Sequence, residues 1–342
     1  MRIAVCSALI PFEDEGAEVF VGELVDRLRR CGHEAELVTV PFKSYPGTRV
    51  LTQAFLWRLV DLEEAGGTPI EAVVATTFPS YVVRHPNKIV WLLHQFRQAY
   101  EPDRTKLGHF GESPEDRAAR RAVHELDRVS LGEASRLFAT SRNLIERCRR
   151  STGLEPELLP HPPPALPYRY AEVGDFVLSV GRLDRRKRVD LLLQALALRP
   201  DLSCVVAGDG PERGRLEELA REHALDGRVT FVGRVDADAL TDLYARCLAV
   251  YYAPVDEEFG IVPYEAFLSE KPVVTTSDAG GPLEIVRDRR TGIVCSPEPA
   301  ALADACTWLR AHPEEAHDWG RAGKQVASEV TWDRVVSRLL GE

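Results

Sequence analysis

The sequence predicts an α/β protein of two Rossmann-like domains, each a doubly wound parallel sheet, facing a cleft. Three observations carry the prediction. Short apolar runs alternate with amphipathic helical stretches, the pattern of parallel strands with crossover helices. The pattern breaks clearly at Leu159–Pro167, where five prolines in nine positions forbid a helix and favour a stiff extended connector. The 342 residues exceed what one ordinary core organises and suit two domains, placed here at 1–165 and 166–330.

Taken in order, Arg2–Cys6 (RIAVC) reads as the opening strand and Ala17–Arg30 as an amphipathic helix ending at Cys31-Gly32. Strands follow at Ala35–Val40, Ala72–Thr76 and Lys88–Leu93, then a long helix from Pro114 to about Ala134 and a strand at Arg136–Thr140. After the prolines the pattern restarts with a strand at Phe176–Val180, a helix near 189–198 and a strand at Leu202–Ala207. A helix near 212–223, a strand at Val229–Val232 and a helix near 238–247 come next. Two further strands are expected at Leu248–Tyr252 and Pro272–Thr276. Open α/β sheets bind ligands at the carboxyl ends of their strands, so the cleft between the two sheets is the expected site.

Bulk properties narrow the class. The chain is 44% hydrophobic and 28% charged, and no apolar run approaches the roughly 20 residues that span a bilayer. The opening MRIAVCS is too short and too soon interrupted to read as a signal peptide, so the expected location is the cytoplasm. Seven cysteines with no C-x-x-C pair argue against disulfides and a structural zinc site. The formal charge of −10 disfavours a nucleic-acid partner. Residues 1–165 hold 21 basic and 23 acidic side chains, residues 166–342 hold 22 and 30, so the acidity sits in the second half. A weak membrane-surface or acidic-acceptor role for the first half is therefore compatible with the charge.

The chemistry concentrates in the second half. Asp256–Glu265 (DEEFGIVPYE) sets Glu257 and Glu265 with seven residues between them around a Phe-Gly turn, after an apolar run and before a helix whose first turn suits Pro263. Acidic groups and helix-start N–H donors at one strand-to-helix junction can bind the hydroxyls and phosphates of an activated sugar. Gly181–Arg188 (GRLDRRKR) leaves the preceding strand with Arg182 and Lys187, cations able to clamp a diphosphate without a metal. Val205–Arg213 carries Gly208 and Gly210 in a strand-to-helix turn, but Arg213 replaces the third glycine of a dinucleotide fingerprint and Gly233-Arg234 replaces its acidic residue. Gly280 and Gly281 are expected to expose backbone amides at another helix start. Asp236-Ala237-Asp238 matches a metal-binding D-x-D pattern but stands where a helix cap is expected, so no metal is called for.

This ordered set resembles the retaining glycosyltransferases of family 4, which have the GT-B architecture. The resemblance rests on Gly181-Arg182 with Lys187, Gly208–Glu212, Phe231–Gly233, Glu257–Glu265 and Gly280–Val286. More loosely, the first half is similar at Arg2–Val5 with Gly16-Ala17-Glu18, at Leu92-Leu93-His94, at Phe138–Ser141 and at Leu159–His161. Thr331-Trp332 resembles the start of the family's terminal helix, implying that 331–342 returns to the first domain.

The resemblance implies catalytic roles for Arg182, Lys187, Glu257 and His94. It implies donor contacts from Glu265 (ribose hydroxyls), Phe259, Gly260, Ile261, Gly208, Gly210, Gly233 and Arg234, and acceptor-side contacts from Gly16 and Ala17. The expected reaction moves a sugar from a nucleotide-diphosphate sugar to an unnamed acceptor with retention, by front-face attack. No cofactor or metal is needed, and no side chain is assigned as nucleophile. A nucleotide-sugar 2-epimerase of the same architecture, or a non-catalytic sugar-nucleotide-binding protein, are the alternatives. Arg117, Arg120, Arg121 and Arg128 stripe the long first-domain helix, where a solvated face competes with a weak peripheral contact at the inner membrane face.

Overall fold

The computed structural model describes residues 1–10, 16–100, 110–171 and 173–342, with backbone alone for Gly16–Glu18. The chain forms two compact units, one of Met1–His161 with Trp332–Glu342, the other of Pro162–Thr331.

In the first unit, β1 (Arg2–Leu9), α1 (Gly16–Arg30) and β2 (Glu34–Pro41) are followed by α2 (Val50–Leu59) and a small hairpin, β3 (Glu64–Ala65) with β4 (Thr68–Pro69). Then come β5 (Ala72–Ala75), β6 (Lys88–Leu92), α3 (Pro114–Gly132), β7 (Arg136–Ala139), α4 (Arg142–Thr152) and β8 (Glu157–Leu158). The main sheet is parallel with order β2-β1-β5-β6-β7-β8, so the winding direction reverses between β1 and β5. α1 buries Phe20, Val21, Leu24, Val25 and Leu28, the i, i+1, i+4 stripe that its sequence presents. Burying side chains of this size stabilises the unit by roughly 1.5–3 kcal/mol each. Ser113 caps α3 by accepting the Asp116 N–H at 3.0 Å, and Ser141 caps α4 by accepting the Leu144 N–H at 3.0 Å.

The terminal helix, Trp332–Leu340, belongs to this unit. Trp332 stacks on Phe20 at 5.7 Å and meets Trp91 edge-on at 6.2 Å, while Val335, Val336 and Leu339 are buried in the same cluster.

The second unit runs β9 (Phe176–Val180), α5 (Val189–Ala197), β10 (Ser203–Ala207), α6 (Arg213–Glu222), β11 (Val229–Gly233) and α7 (Ala237–Arg246). It continues with β12 (Ala249–Tyr251), α8 (Val262–Leu268), β13 (Val273–Thr276), β14 (Gly292–Cys295), α9 (Pro299–Ala311) and α10 (Pro313–Ser328). Its sheet is also parallel, in the order β11-β10-β9-β12-β13-β14. The chain winds outward from β9 to β11, then crosses back to lay β12 on the other side of β9. That reversal opens a crevice at the carboxyl ends of β9 and β12, where such sheets hold ligands.

Two local expectations need correction. The strand expected at Leu248–Tyr252 is the shorter Ala249–Tyr251, because Cys247 still serves as the C-cap of α7. The helix expected after Gly280 is a four-residue 3-10 turn, Gly281–Glu284, and the Gly281 N–H is not available to a ligand. It donates to the Glu257 carbonyl at 2.7 Å and so ties the two loops together.

Candidate active site

The loops after β9 and β12 are stitched together by polar contacts that fix the side chains between them. The Asp184 carboxylate accepts the N–H groups of Arg186 (2.9 Å) and Lys187 (3.2 Å), folding Arg185–Lys187 into a tight 3-10 turn. Arg188, in the left-handed region at φ +50°, points its guanidinium across to the far loops. It donates to the carbonyls of Ala253 (2.8 Å) and Pro254 (3.1 Å), to Thr276 Oγ1 (2.6 Å) and to both Asp278 oxygens (2.8 and 2.9 Å). Burial favours the neutral Asp278 carboxyl, but Arg188 and Thr276 outweigh it and hold its pKa below the usual range. The Val255 N–H donates to the Arg186 carbonyl at 2.9 Å, and the Glu257 N–H to the Ala279 carbonyl at 2.8 Å. Glu257 is thus held by backbone on a braced loop.

Lys187 and Glu257 meet in a close ion pair, each about one-quarter exposed at 24%. Tyr252 completes the cluster: its hydroxyl accepts from Lys187 Nζ at 3.1 Å and lies 3.4 Å from Glu257 Oε2. Burial works against the charged ammonium, yet Tyr252 and Glu257 overcome it and raise the Lys187 pKa well above its ordinary value. Burial also pushes the Tyr252 phenol up, so it stays a neutral donor. Gly260 lies against the Tyr252 ring at φ +81°; an added Cβ would come within 2.7 Å of Cε1. Only glycine lets the chain turn here into α8. Among the described residues the N–H groups of Gly260 and Ile261 make no hydrogen bond, while the Ile261 carbonyl receives Tyr264 and Glu265. Phe259 is buried and stacks on Tyr264 with centroids 5.1 Å apart, so its ring serves packing.

Glu265, one turn into α8, is 6% exposed. Its carboxylate accepts from the Tyr244 hydroxyl at 2.6 Å and the Tyr168 hydroxyl at 3.2 Å. Burial raises its pKa, and the two tyrosine bonds pull it back toward the ionised form. Each carboxylate oxygen has capacity for a second donor beyond its tyrosine.

The turns after β9, β10 and β11 pack side by side. Gly208 sits at φ +134° with its α-carbon so close to Gly181 that a Cβ would lie 1.9 Å from the Gly181 carbonyl oxygen. Its N–H donates to the Gly233 carbonyl at 2.8 Å. Gly210 presses on Leu183, where a Cβ would fall 2.5 Å from the carbonyl oxygen. These glycines let one stretch of protein backbone approach another, and that approach positions the Gly181–Lys187 turn. Arg182 and Arg234 are exposed at the ends of β9 and β11.

In the first unit, His94 follows β6 and is half-buried, with Nδ1 3.4 Å from the Gln95 carbonyl. Gly16 and Ala17 form the first backbone turn of α1; their side chains and the preceding residues, Pro11–Glu15, lie outside the described residues. Asp236 caps α7 by accepting the Ala239 N–H at 2.8 Å, which absorbs the D-x-D pattern. Among the described residues no cluster of three His, Cys, Asp or Glu side chains is placed to hold a metal ion.

Lys187 and Glu257 are brought together with Tyr252 under Gly260, and Glu265 stands on α8 with its own tyrosine pair. The sequence reading missed Tyr252, Tyr244, Tyr168, Asp184 and Arg188. Tyr252 alone had a visible signal, an aromatic hydroxyl closing the apolar run just ahead of the acidic loop.

Residues 170–326 match the family described as glycosyl transferases group 1. The chain is 30% identical over 176 residues to alpha-1,3/1,6-mannosyltransferase ALG2 of Dictyostelium discoideum, covering 45% of this chain and 41% of that one. It is 31% identical over 210 residues to D-rhamnosyltransferase WbpZ of Pseudomonas aeruginosa, covering 59% and 54%. The chain spans about half or less of the length of these curated relatives. Among solved structures, sucrose-phosphate synthase of Thermosynechococcus elongatus superposes with a TM-score of 0.80 at 19% identity, covering 100% of this chain and 98% of that one. HepE of Anabaena in complex with UDP-glucose superposes with a TM-score of 0.73 at 18% identity, covering 100% and 99%. The match to the glycosyl transferases group 1 is thus confined to residues 170–326, and the chain is built on the GT-B fold.

Proposed function

We propose that this protein is a retaining, metal-independent glycosyltransferase that takes a sugar from a nucleotide-diphosphate sugar and passes it to an acceptor. The observation that carries the reading is the Lys187–Tyr252–Glu257 cluster under Gly260, at the point where the second unit's sheet reverses. Lys187 has three N–H donors, and Tyr252 and Glu257 take two, leaving one for a phosphate oxygen. The N–H groups of Gly260 and Ile261 supply two further donors. Arg182, exposed at the end of β9, supplies a second cation to the departing diphosphate.

Glycosyl transfer builds positive charge on the sugar ring and negative charge on the leaving diphosphate. Donors already fixed by the protein stabilise that charge without reorganising, often the largest contribution to rate. Glu257, anchored by its backbone, faces the donor sugar, and Glu265 accepts the ribose hydroxyls on the lone pairs its tyrosines leave open. Support for a nucleotide-sugar donor also comes from HepE, solved with UDP-glucose, while the named relatives are transferases and do not favour the 2-epimerase alternative.

The test is incubation of the full chain with a panel of nucleotide sugars in EDTA, with and without candidate acceptors. Acceptor-dependent release of the nucleoside diphosphate, with product of unchanged anomeric configuration by NMR, is the expected result. A metal requirement, an inverted product or a new free nucleotide sugar would each overturn a stated part of the reading.

A further inference from the structure

The stretch that opens the second unit, residues 162–171, contains no helix or strand, yet it supplies one of the two hydroxyls on Glu265. Tyr244, the other donor, is fully buried on α7, and the packing of that helix fixes it. Tyr168 has no regular element beneath it, so its hydroxyl stays on the carboxylate only if the stretch is held by other contacts. One set lies just after it. The Ala171 N–H donates to the Ala245 carbonyl at 3.1 Å, the Gly174 N–H to the Arg246 carbonyl at 2.6 Å, and Arg169 pairs with Asp242 at 2.7 Å. These tie the chain to the carboxyl end of α7.

The second set is a clamp on the ring of Tyr170, two residues on from Tyr168. The ring stacks on His317 of α10 with centroids 4.1 Å apart and planes 13° from parallel. Lys271 Nζ lies over the same ring, 4.3 Å from its centre. Lys271 is 1% exposed, and among the described residues its Nζ has no hydrogen-bond partner, so the ring face stands in for one beside a desolvated ammonium. Glu270 fixes the His317 side of the clamp: its carboxylate meets His317 Nε2 at 3.0 Å and Lys324 Nζ at 2.9 Å. Glu270 and Lys271 come directly after the C-cap of α8, and their N–H groups donate to the carbonyls of Phe267 (2.8 Å) and Ala266 (2.9 Å). The clamp is therefore anchored on the helix that carries Glu265.

We propose that Tyr168 is a positioning residue for donor recognition, held in place by the Tyr170 clamp, and that it makes Glu265 select a ribose carrying both hydroxyls. The inference rests on the reading of Glu265 as the ribose contact. With Tyr168 on Oε1 and Tyr244 on Oε2, each carboxylate oxygen keeps an open lone pair of fixed direction. Two adjacent hydroxyls complement that arrangement, whereas a deoxyribose leaves one buried oxygen without its second donor. Without the Tyr168 hydroxyl the carboxylate turns about its remaining bond to Tyr244, and the lone pair on Oε1 loses its direction. Tyr170 acts only through Tyr168.

The test is isothermal titration of the full chain with UDP, GDP and ADP, and with the 2′-deoxy and 3′-deoxy forms of whichever binds, beside a thermal melt of each variant. In the unaltered protein each missing hydroxyl should weaken binding roughly tenfold or more, the loss of one hydrogen bond to a carboxylate. Y168F should shrink one of these two penalties by about threefold or more, a change that a merely structural role would not produce. Y170L should shrink the same penalty, and Y170F, which keeps the ring, should restore it; where Y170L does not fold, Y168F decides. E265Q separates the two levels of the reading. If E265Q leaves both penalties unchanged, or none of the three nucleotides binds, the ribose reading fails and this inference falls with it. If E265Q removes a penalty while Y168F keeps both, or weakens every analogue equally, this inference alone is overturned. A folded Y170L with both penalties intact overturns the clamp.

Discussion

Replacing Lys187 by Met tests the diphosphate cluster with a predictable size. The side chain keeps its length, loses its charge and gives up contacts to Tyr252 at 3.1 Å and to Glu257. In the proposed complex it also gives up a charge-assisted bond to phosphate, of order 1.5–3 kcal/mol, hence roughly 10–150-fold weaker binding. Folding should suffer much less. Breaking a fully buried ion pair costs about 3–5 kcal/mol, but Glu257 is 24% exposed and water can replace its partner, so about 1 kcal/mol is expected. The contrast with Glu257→Gln sharpens the test, because it removes the anion that neutralises Lys187. A nucleoside diphosphate lacking the sugar should then bind as tightly as before or more tightly. Isothermal titration with UDP, GDP and ADP in EDTA, beside thermal melting, reads both effects. Unchanged affinity in Lys187→Met, or equal losses in the two variants, would refute the reasoning.

Three further outcomes follow from the packing. Tyr244→Phe removes a 2.6 Å bond to the buried Glu265 carboxylate, costing about 1.5–3 kcal/mol in urea unfolding and raising the donor KM, while Tyr264→Phe should not raise KM. Gly208→Ala drives a methyl into the Gly181 carbonyl at 1.9 Å and should destabilise the second unit by about 3 kcal/mol or more, read as a lower urea midpoint. Asp127 is buried, accepts from the hydroxyls of Tyr81 (2.8 Å) and Tyr100 (2.6 Å), and its pKa is raised by burial to about 7. The folded state thus holds a proton that the unfolded state releases near pH 4. Its stabilising contribution is full below that point and is lost as pH rises toward 7, by about 4 kcal/mol in all. Asp127→Asn should flatten that slope in melting temperature against pH; an unchanged slope would show that Asp127 does not titrate there.

Much of the architecture was legible because parallel strands and crossover helices leave local marks. The alternation, the five prolines near the division between the units and the Asp236 cap are all features of neighbouring residues. α2 was not legible, since VLTQAFLWRL is apolar on both faces and shows no clean 3.6-residue period. α9 and α10 went unassigned although Pro299 and Pro313 mark their first turns, and β14 is only four residues long. At the site, sequence reasoning found residues that share a loop and missed partners that meet only through the fold. Tyr168 is 97 positions from Glu265, and Lys187 is 70 from Glu257. The family resemblance named Glu265 as a ribose contact but could not show that two tyrosines already hold its carboxylate. It likewise marked Gly208 and Gly210 without revealing that Gly181 and Leu183 are what they must clear.

A crystal structure of the full chain grown with a nucleoside diphosphate gives the most direct measurement. Phosphate oxygens at about 3 Å from Lys187 Nζ and from the N–H groups of Gly260 and Ile261, with the ribose against Glu265, is the arrangement expected. A diphosphate seated elsewhere, with Lys187 still satisfied only by Tyr252 and Glu257, would contradict it.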